Sequence, residues 1–291
     1  MPSLKEVRNR IASVKSTQQI TSAMKLVAAS KLRKAQNAIL TMRPYASKLR
    51  ELLQDLSGSI GDPDENSYTE EREPERILLI AVTSNKGLCG AFNTNVIKRV
   101  KHIKEDYNLQ YKAGKLDFFF FGKKALDHFT KRKFKNVDGD TELLENLKFE
   151  NTLPFAERFM QAFREKKYDR IILIYNQFKN AALQKLVSEQ YLPIQPPDAE
   201  KAQEHTADYI FEPNKEDIVR ELIPKSLKIQ LYKALLDSYA SEQGARMTAM
   251  HAATENAKEL TKELQLKYNK ARQASITNEL IEIVSGAEAL G

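Results

Sequence analysis

Apolar residues return at three- and four-residue steps at both ends of this chain, and in short strand-like runs between them. From Leu4 the steps pass through Val7, Ile11, Val14, Gln18, Thr21, Lys25, Ala28, Leu32, Ala35, Ile39, Met42, Ala46, Leu49, Leu53 and Leu56, with a polar lapse only at Gln18, Thr21 and Lys25. A period sustained over so many heptads predicts a coiled-coil helix. Pro44 removes one intrahelical hydrogen bond. The apolar phase continues unchanged across it, so a local kink is expected rather than a break. From about Asn214 to Ser285 the spacing recurs in Ile229, Tyr232, Leu236 and Tyr239, then in Met250, Ala253, Ala257, Leu260 and Leu264. After Pro224 no proline interrupts this stretch, and before Gly286 the only glycine is Gly244. A helix of this length would reach roughly 105 Å at about 1.5 Å per residue. Its stripe needs a partner helix, and the N-terminal helix supplies one in antiparallel pairing.

The middle of the chain changes period. Residues 58–75, polar and broken by Gly and Pro, read as a linker. Ile77–Val82 and Leu116–Phe121 are apolar runs suited to buried strands, each followed by a turn and a helical pattern, over 91–105 and from Lys123. A weaker strand is expected near Phe134–Val137, a helix near Phe155–Glu165, a buried strand over Ile171–Tyr175, and a strand over Ala182–Leu192 pairing back through a turn at Lys179 and Asn180. Residues 193–207, with Pro193, Pro196 and Pro197 among charges, read as an exposed loop. The expected fold class is therefore α/β: a small Rossmann-like domain with a mostly parallel sheet of about five strands, plus an antiparallel coiled coil. The boundaries are 1–57 for the first helix, 58–75 for the linker, 76–207 for the α/β domain and 208–291 for the last helix.

Composition narrows the function. With 291 residues and 42% apolar content the chain can bury a core. No apolar run is long enough to span a bilayer, and no signal or transit sequence is evident, so the expectation is a soluble protein that acts where it is made. The single cysteine, Cys89, excludes an internal disulfide and argues against a cysteine zinc site. The net charge of +7 is unevenly placed, because residues 1–50 carry eleven basic side chains against one acid, Glu6. A basic rod of this kind implies acidic surroundings, against the plainer reading of a solvated face.

One turn invites a catalytic reading. TSNKGLCGAFN follows a strand and precedes a helix, where phosphate-binding loops sit. It fails both G-x-x-x-x-G-K-[ST] and G-x-G-x-x-G, so a tight structural turn is expected. His102, His128, His205 and His251 show no ligand spacing, and no Ser/His/Asp set or carboxylate pair stands out.

If both long helices leave the domain at one level, facing residue numbers sum to about 270. Met24 would then face roughly Arg246. The end of the last helix, ARQASITNELIEIVSGAEAL, would lack a partner within the chain although it is rich in Ile, Leu, Val and Ala. Such a tip predicts a sleeve formed by other chains.

Three stretches carry a family resemblance: IASVKSTQQITSAMKLVAASKLRKAQ, VTSNKGLCGAFN, and SEQGARMTAMHAATENA with ELQLKYNKARQASITNELIEIVSGAEA. Together they closely resemble the gamma subunit of F-type ATP synthases, of a bacterial type without the chloroplast cysteine insertion. The resemblance implies the central stalk of a rotary machine. Its coiled coil would lie inside a ring of three alpha and three beta subunits, and its foot would rest on the c ring beside epsilon. Proton-driven rotation would cycle the beta sites for ATP synthesis or hydrolysis. No cofactor and no catalytic residue is implied for this chain, since ATP, ADP and Mg²⁺ bind on alpha and beta. No nucleic acid is implied, membrane contact is through the c ring only, and the place is the cytoplasmic face of the inner membrane.

By motif, Met24, Lys25 and Arg246 match the shaft zone facing the beta lever loops. Arg272, Gln273 and Thr277 match a hydrogen-bonding contact with a beta loop. Tyr209, Phe211 and Glu212, in DYIFEP, match the foot on the c ring. Two other classes compete. A basic coiled coil that scaffolds a complex or binds nucleic acid explains the charge and the heptads but not the apolar tip. A nucleotide-binding enzyme rests on the glycine turn alone.

Overall fold

The computed structural model describes residues 3–57, 68–194 and 215–288. Two long helices bracket the chain, α1 (Leu4–Ser57) and α6 (Lys215–Glu288). Between them lie β1 (Ile77–Val82), α2 (Phe92–Asp106), α3 (Asn108–Lys112), β2 (Leu116–Phe121), α4 (Lys123–Lys131), β3 (Val137–Asp140), α5 (Phe149–Arg164), β4 (Arg170–Phe178) and β5 (Gln184–Leu192). The chain divides into two compact units: residues 29–245, and residues 1–28 together with 246–291.

The larger unit is built on a five-stranded sheet of order β3-β2-β1-β4-β5, parallel except for the β4–β5 hairpin. Every residue of β1 is buried, which is why its sequence ILLIAV reads as a continuous apolar run. Alternate residues serve opposite faces. Leu78, Ile80 and Val82 join Phe119 and Phe121 under α5 and the first part of α6. Ile77, Leu79 and Ala81 join Phe118 and Phe120 under α2 and α4. The result is helix–sheet–helix layering. From Leu227 to Gln243 α6 is buried nearly all round, including Asp237, Ser238 and Ser241. It runs alongside the β4–β5 hairpin. The Tyr191 hydroxyl donates to the Leu227 carbonyl at 3.0 Å, and Ser241 Oγ donates to the Asn176 carbonyl at 3.0 Å. At Gly244 a Cβ would stand 3.2 Å from Cα and O of Ala181 in the hairpin turn, so a glycine allows the close approach.

Two expected elements shift. The strand expected over 134–137 begins at Val137, because Phe134 instead packs on Phe129, Phe118 and Tyr111 and Asn136 has a positive φ of 54°. The helix expected from Phe155 begins at Phe149, with Pro154 inside it. A proline close to a helix start removes only one bond, so it does not mark the beginning. Pro44 likewise lies inside α1, and α1 continues through it. The hairpin turn falls where expected, with Asn180 Oδ1 accepting from the Ala182 and Leu183 amides. Of the two loop readings, residues 58–67 and 195–207 lie outside the described residues.

In the smaller unit, α1 and α6 pair antiparallel. Thr21 Oγ1 and Thr254 Oγ1 are 2.8 Å apart, and thirteen residues earlier on α1 Arg8 Nη2 donates to the Tyr268 hydroxyl at 2.8 Å.

Candidate functional site

The paired helices show how far the heptad reading holds. Along α1, Val7, Thr21, Ala28, Leu32, Ala35, Ile39 and Leu49 are buried, and Leu4, Ile11, Val14, Gln18, Lys25, Met42 and Ala46 are half-buried. The side chains of Leu53 and Leu56 lie outside the description. On α6 the seam is Met250, Thr254, Ala257, Thr261, Leu264 and Tyr268. Ala253 sits beside it, half-buried, and Leu260 is 36% exposed, so the stripe drawn through Leu260 is corrected to Thr261. Threonine can replace the apolar residue here because each hydroxyl donates to its own helix: Thr254 to the Met250 carbonyl and Thr261 to the Ala257 carbonyl, both at 2.8 Å. Polar Thr21 then meets polar Thr254, which leaves neither hydroxyl of the pair orphaned.

The contacts also correct the register. The Arg8–Tyr268 and Thr21–Thr254 pairs sum to 276 and 275. Met24 is therefore level with about residue 251, and Arg246 lies roughly a turn and a half away from that level along α6. The assumption of level helix ends produced the error. Met24 and Lys25 are half-buried, and Arg246 is 8% exposed. The three belong to the same unit, but Arg246 does not face Met24.

Beyond Tyr268 the helix stands open. Arg272, Gln273 and Thr277 are exposed, as are Ile276, Leu280, Ile281, Ile283 and Val284, the last five at 49–68% of full exposure. Contiguous apolar exposure of this kind marks an interaction surface. At the base of the open stretch Arg8 lies 5.7 Å over the Tyr268 ring. The hydrogen bond from Arg8 holds the Tyr268 hydroxyl below its ordinary pKa, Arg272 adding to the effect, and the same bond raises that of Arg8. Nothing in the heptad pattern pointed to the Arg8–Tyr268 clamp, because Arg8 lies outside the apolar register.

The glycine turn sits at the C-terminal end of β1, and its polar groups face inward. Asn93 Oδ1 accepts from the Ser84 amide at 2.9 Å, Asn93 Nδ2 donates to Ser84 Oγ at 2.7 Å, and Ser84 Oγ donates to the Lys86 carbonyl at 2.6 Å. Asn85 Nδ2 donates to the Thr141 carbonyl at 2.6 Å, and Asn85 Oδ1 accepts from the Lys123 amide at 3.0 Å. Cys89 is buried beneath these groups. Bonds of this kind hold the β1–α2 and β2–α4 turns together. Among the described residues no three His, Cys, Asp or Glu side chains cluster as metal ligands would, and no helix is long and apolar enough to cross a membrane. Tyr209, Phe211 and Glu212 lie outside the described residues.

The family model described as ATP synthase matches residues 3–290. The chain belongs to the ATP synthase family. It is 57% identical to the ATP synthase gamma chain of Christiangramia forsetii over 290 residues, covering 100% of this chain and 99% of that one. It is 55% identical to the ATP synthase gamma chain of Flavobacterium psychrophilum, with the same coverage. Among solved structures it is similar to a chain of the Tetrahymena thermophila mitochondrial ATP synthase central stalk and c ring. That match has 26% identity and a TM-score of 0.59, covering 80% of this chain and 99% of that one. A chain of the Euglena gracilis mitochondrial ATP synthase shares the fold with a TM-score of 0.70 at 23% identity, covering 99% of this chain and 94% of that one.

Proposed function

We infer that this chain is the rotor shaft of an F-type ATP synthase, coupling rotation of a membrane c ring to conformational cycling of catalytic beta subunits. The observation that carries this reading is the open end of α6, where Ile276, Leu280, Ile281, Ile283 and Val284 stand exposed on a chain matched almost end to end by gamma chains. An apolar helix end on a rotating element needs a sleeve that holds it without fixing it. A ring of alpha and beta subunits supplies one. In this reading ATP, ADP and Mg²⁺ are bound by alpha and beta, and this chain contributes torque and asymmetry without catalytic groups. Arg272, Gln273 and Thr277 hydrogen-bond a beta loop from their exposed positions, and Met24, Lys25 and Arg246 line the shaft where beta lever loops push. Tyr209, Phe211 and Glu212 rest on the c ring beside epsilon, at the cytoplasmic face of the membrane. The basic side chains of α1 suit acidic loops on the beta subunits.

The test is reconstitution with alpha and beta from the same organism, with a bead fixed to the α/β unit. ATP-driven stepwise rotation is expected. Failure of the chain to enter the alpha–beta ring would overturn the reading.

A further inference from the structure

The two helical layers of the α/β unit carry very different charge. Residues 142–165, which include α5, hold three basic and five acidic side chains. Residues 92–136, which include α2, α3 and α4, hold twelve basic side chains against four acidic ones. Ten of the twelve are lysines.

Most of the lysines of this second layer have no ion-pair partner among the described residues. Lys115 pairs with Glu75 at 2.6 Å, whereas Lys98, Lys101, Lys124, Lys131, Lys133 and Lys135 have no ion-pair partner among the described residues. Lys98, Lys124, Lys131, Lys133 and Lys135 are exposed. α2 and α4 pack side by side on one sheet face, with Val96, Val100, Ile103, Ala125 and Phe129 all turned into the core. Between the helices His128 is held below its ordinary pKa, by burial first and then by the charges of Arg132 and Lys101. At the end of the layer α3 is tied in by Tyr111, which lies under Lys104 at 4.7 Å and against Phe134 at 5.7 Å. From this end Leu109 projects at 80% exposure.

We propose that the lysine-rich face of α2 and α4, with Leu109 at its edge, is a docking surface for an anionic lipid bilayer. Stable protein interfaces are built around apolar, aromatic or arginine anchors and are poor in lysine. This face has its apolar residues inside and presents mobile point charges outside. That suits many dispersed phosphate headgroups rather than one shaped partner. Leu109, at the α3 end of this layer with Lys115, Glu73 and Glu75 around it, adds a shallow apolar insertion of the kind peripheral proteins use. The contact stands on charge and geometry alone, independent of the stalk reading.

The test uses the full chain, phosphatidylglycerol vesicles and phosphatidylcholine vesicles at about physiological salt. Co-sedimentation with the acidic vesicles only is expected, weakening as salt rises. Lys98→Glu/Lys124→Glu/Lys131→Glu should lower the apparent affinity at least about tenfold. Lys31→Glu/Arg33→Glu/Lys34→Glu on α1, an equal change of charge, should lower it far less. The chain contains no tryptophan, so Leu109→Trp places a sole reporter at the edge of the face. Its emission should be quenched by brominated lipid in acidic vesicles. Equal or greater loss from the α1 variant would overturn the proposal, as would unquenched emission of that reporter on bound chains. Displacement by duplex DNA at phosphate concentrations below those of the lipid would also overturn it and reassign the face to nucleic acid.

Discussion

At the scale of single residues the most constrained position is Gly122, which ends β2. Its φ of 98° belongs to the region favouring glycine, and a Cβ there would collide with the Thr83 carbonyl. Gly122→Ala should cost about 2–4 kcal/mol, read as a lower urea midpoint for unfolding of the α/β unit. A midpoint within error of the parent would contradict the clash. His128 gives a pH prediction with a definite sign. Its folded pKa lies below the ordinary value of 6.5, through burial and the charges of Arg132 and Lys101. The unfolded chain therefore binds the proton more readily. This contribution is complete above about pH 6.5 and is lost progressively as pH falls from there towards the folded pKa. His128→Gln should reduce the drop in stability between neutral and mildly acidic pH. An identical drop in the two proteins would place the cause elsewhere. Neither feature is visible in the sequence, where Gly122 and His128 are simply a glycine after a strand and a histidine in a helix.

At the scale of elements, helices and strands were legible because their signals are local. β1 and β2 begin and end at the residues their apolar runs indicated. The turn between β4 and β5 was marked by its asparagine. Departures arose where one residue was read alone: Phe155 as a helix start, Phe134 as a strand residue, Leu260 as part of a stripe. The helix pair yields a sharper prediction because two contacts fix its register. Thr21→Cys/Thr254→Cys should form a disulfide readily on mild oxidation, since the two hydroxyls stand 2.8 Å apart. Met24→Cys/Arg246→Cys should not, because Arg246 lies roughly a turn and a half from the level of Met24. A mobility shift on non-reducing gels reads both, and efficient closure of the second pair would restore the level-ends register.

At the scale of the whole molecule, function is divided between units that need not fold together. Removal of residues 272–291 takes away exposed side chains for the most part, so it should leave the thermal unfolding of the α/β unit within about 2 °C of the parent. The same truncation should reduce assembly with alpha and beta, or the rate of ATP hydrolysis by the assembled head, severalfold. Loss of the α/β fold in the truncated chain would show that the open end is structural. The candidate site residues come from motif resemblance and not from periodicity. Arg272, Gln273 and Thr277 sit on an exposed helix surface, where spacing alone describes only a solvated face.

The sequence by itself determined the two long helices, the five strands and their order in the chain, the apolar seam of α1 and the family. Each rests on information carried by near neighbours: three- and four-residue recurrence, runs of buried residues, or unbroken motifs. Tertiary structure decided what depends on residues far apart meeting: the helix register, the choice of Thr261 over Leu260, the inward wiring of Ser84, Asn85 and Asn93, and the gathering of lysines from α2 and α4 onto one face. Periodicity says which side of a helix is buried but not what level of its partner it meets. That level is fixed by side-chain matching between segments more than two hundred residues apart, such as Thr21 with Thr254 and Arg8 with Tyr268.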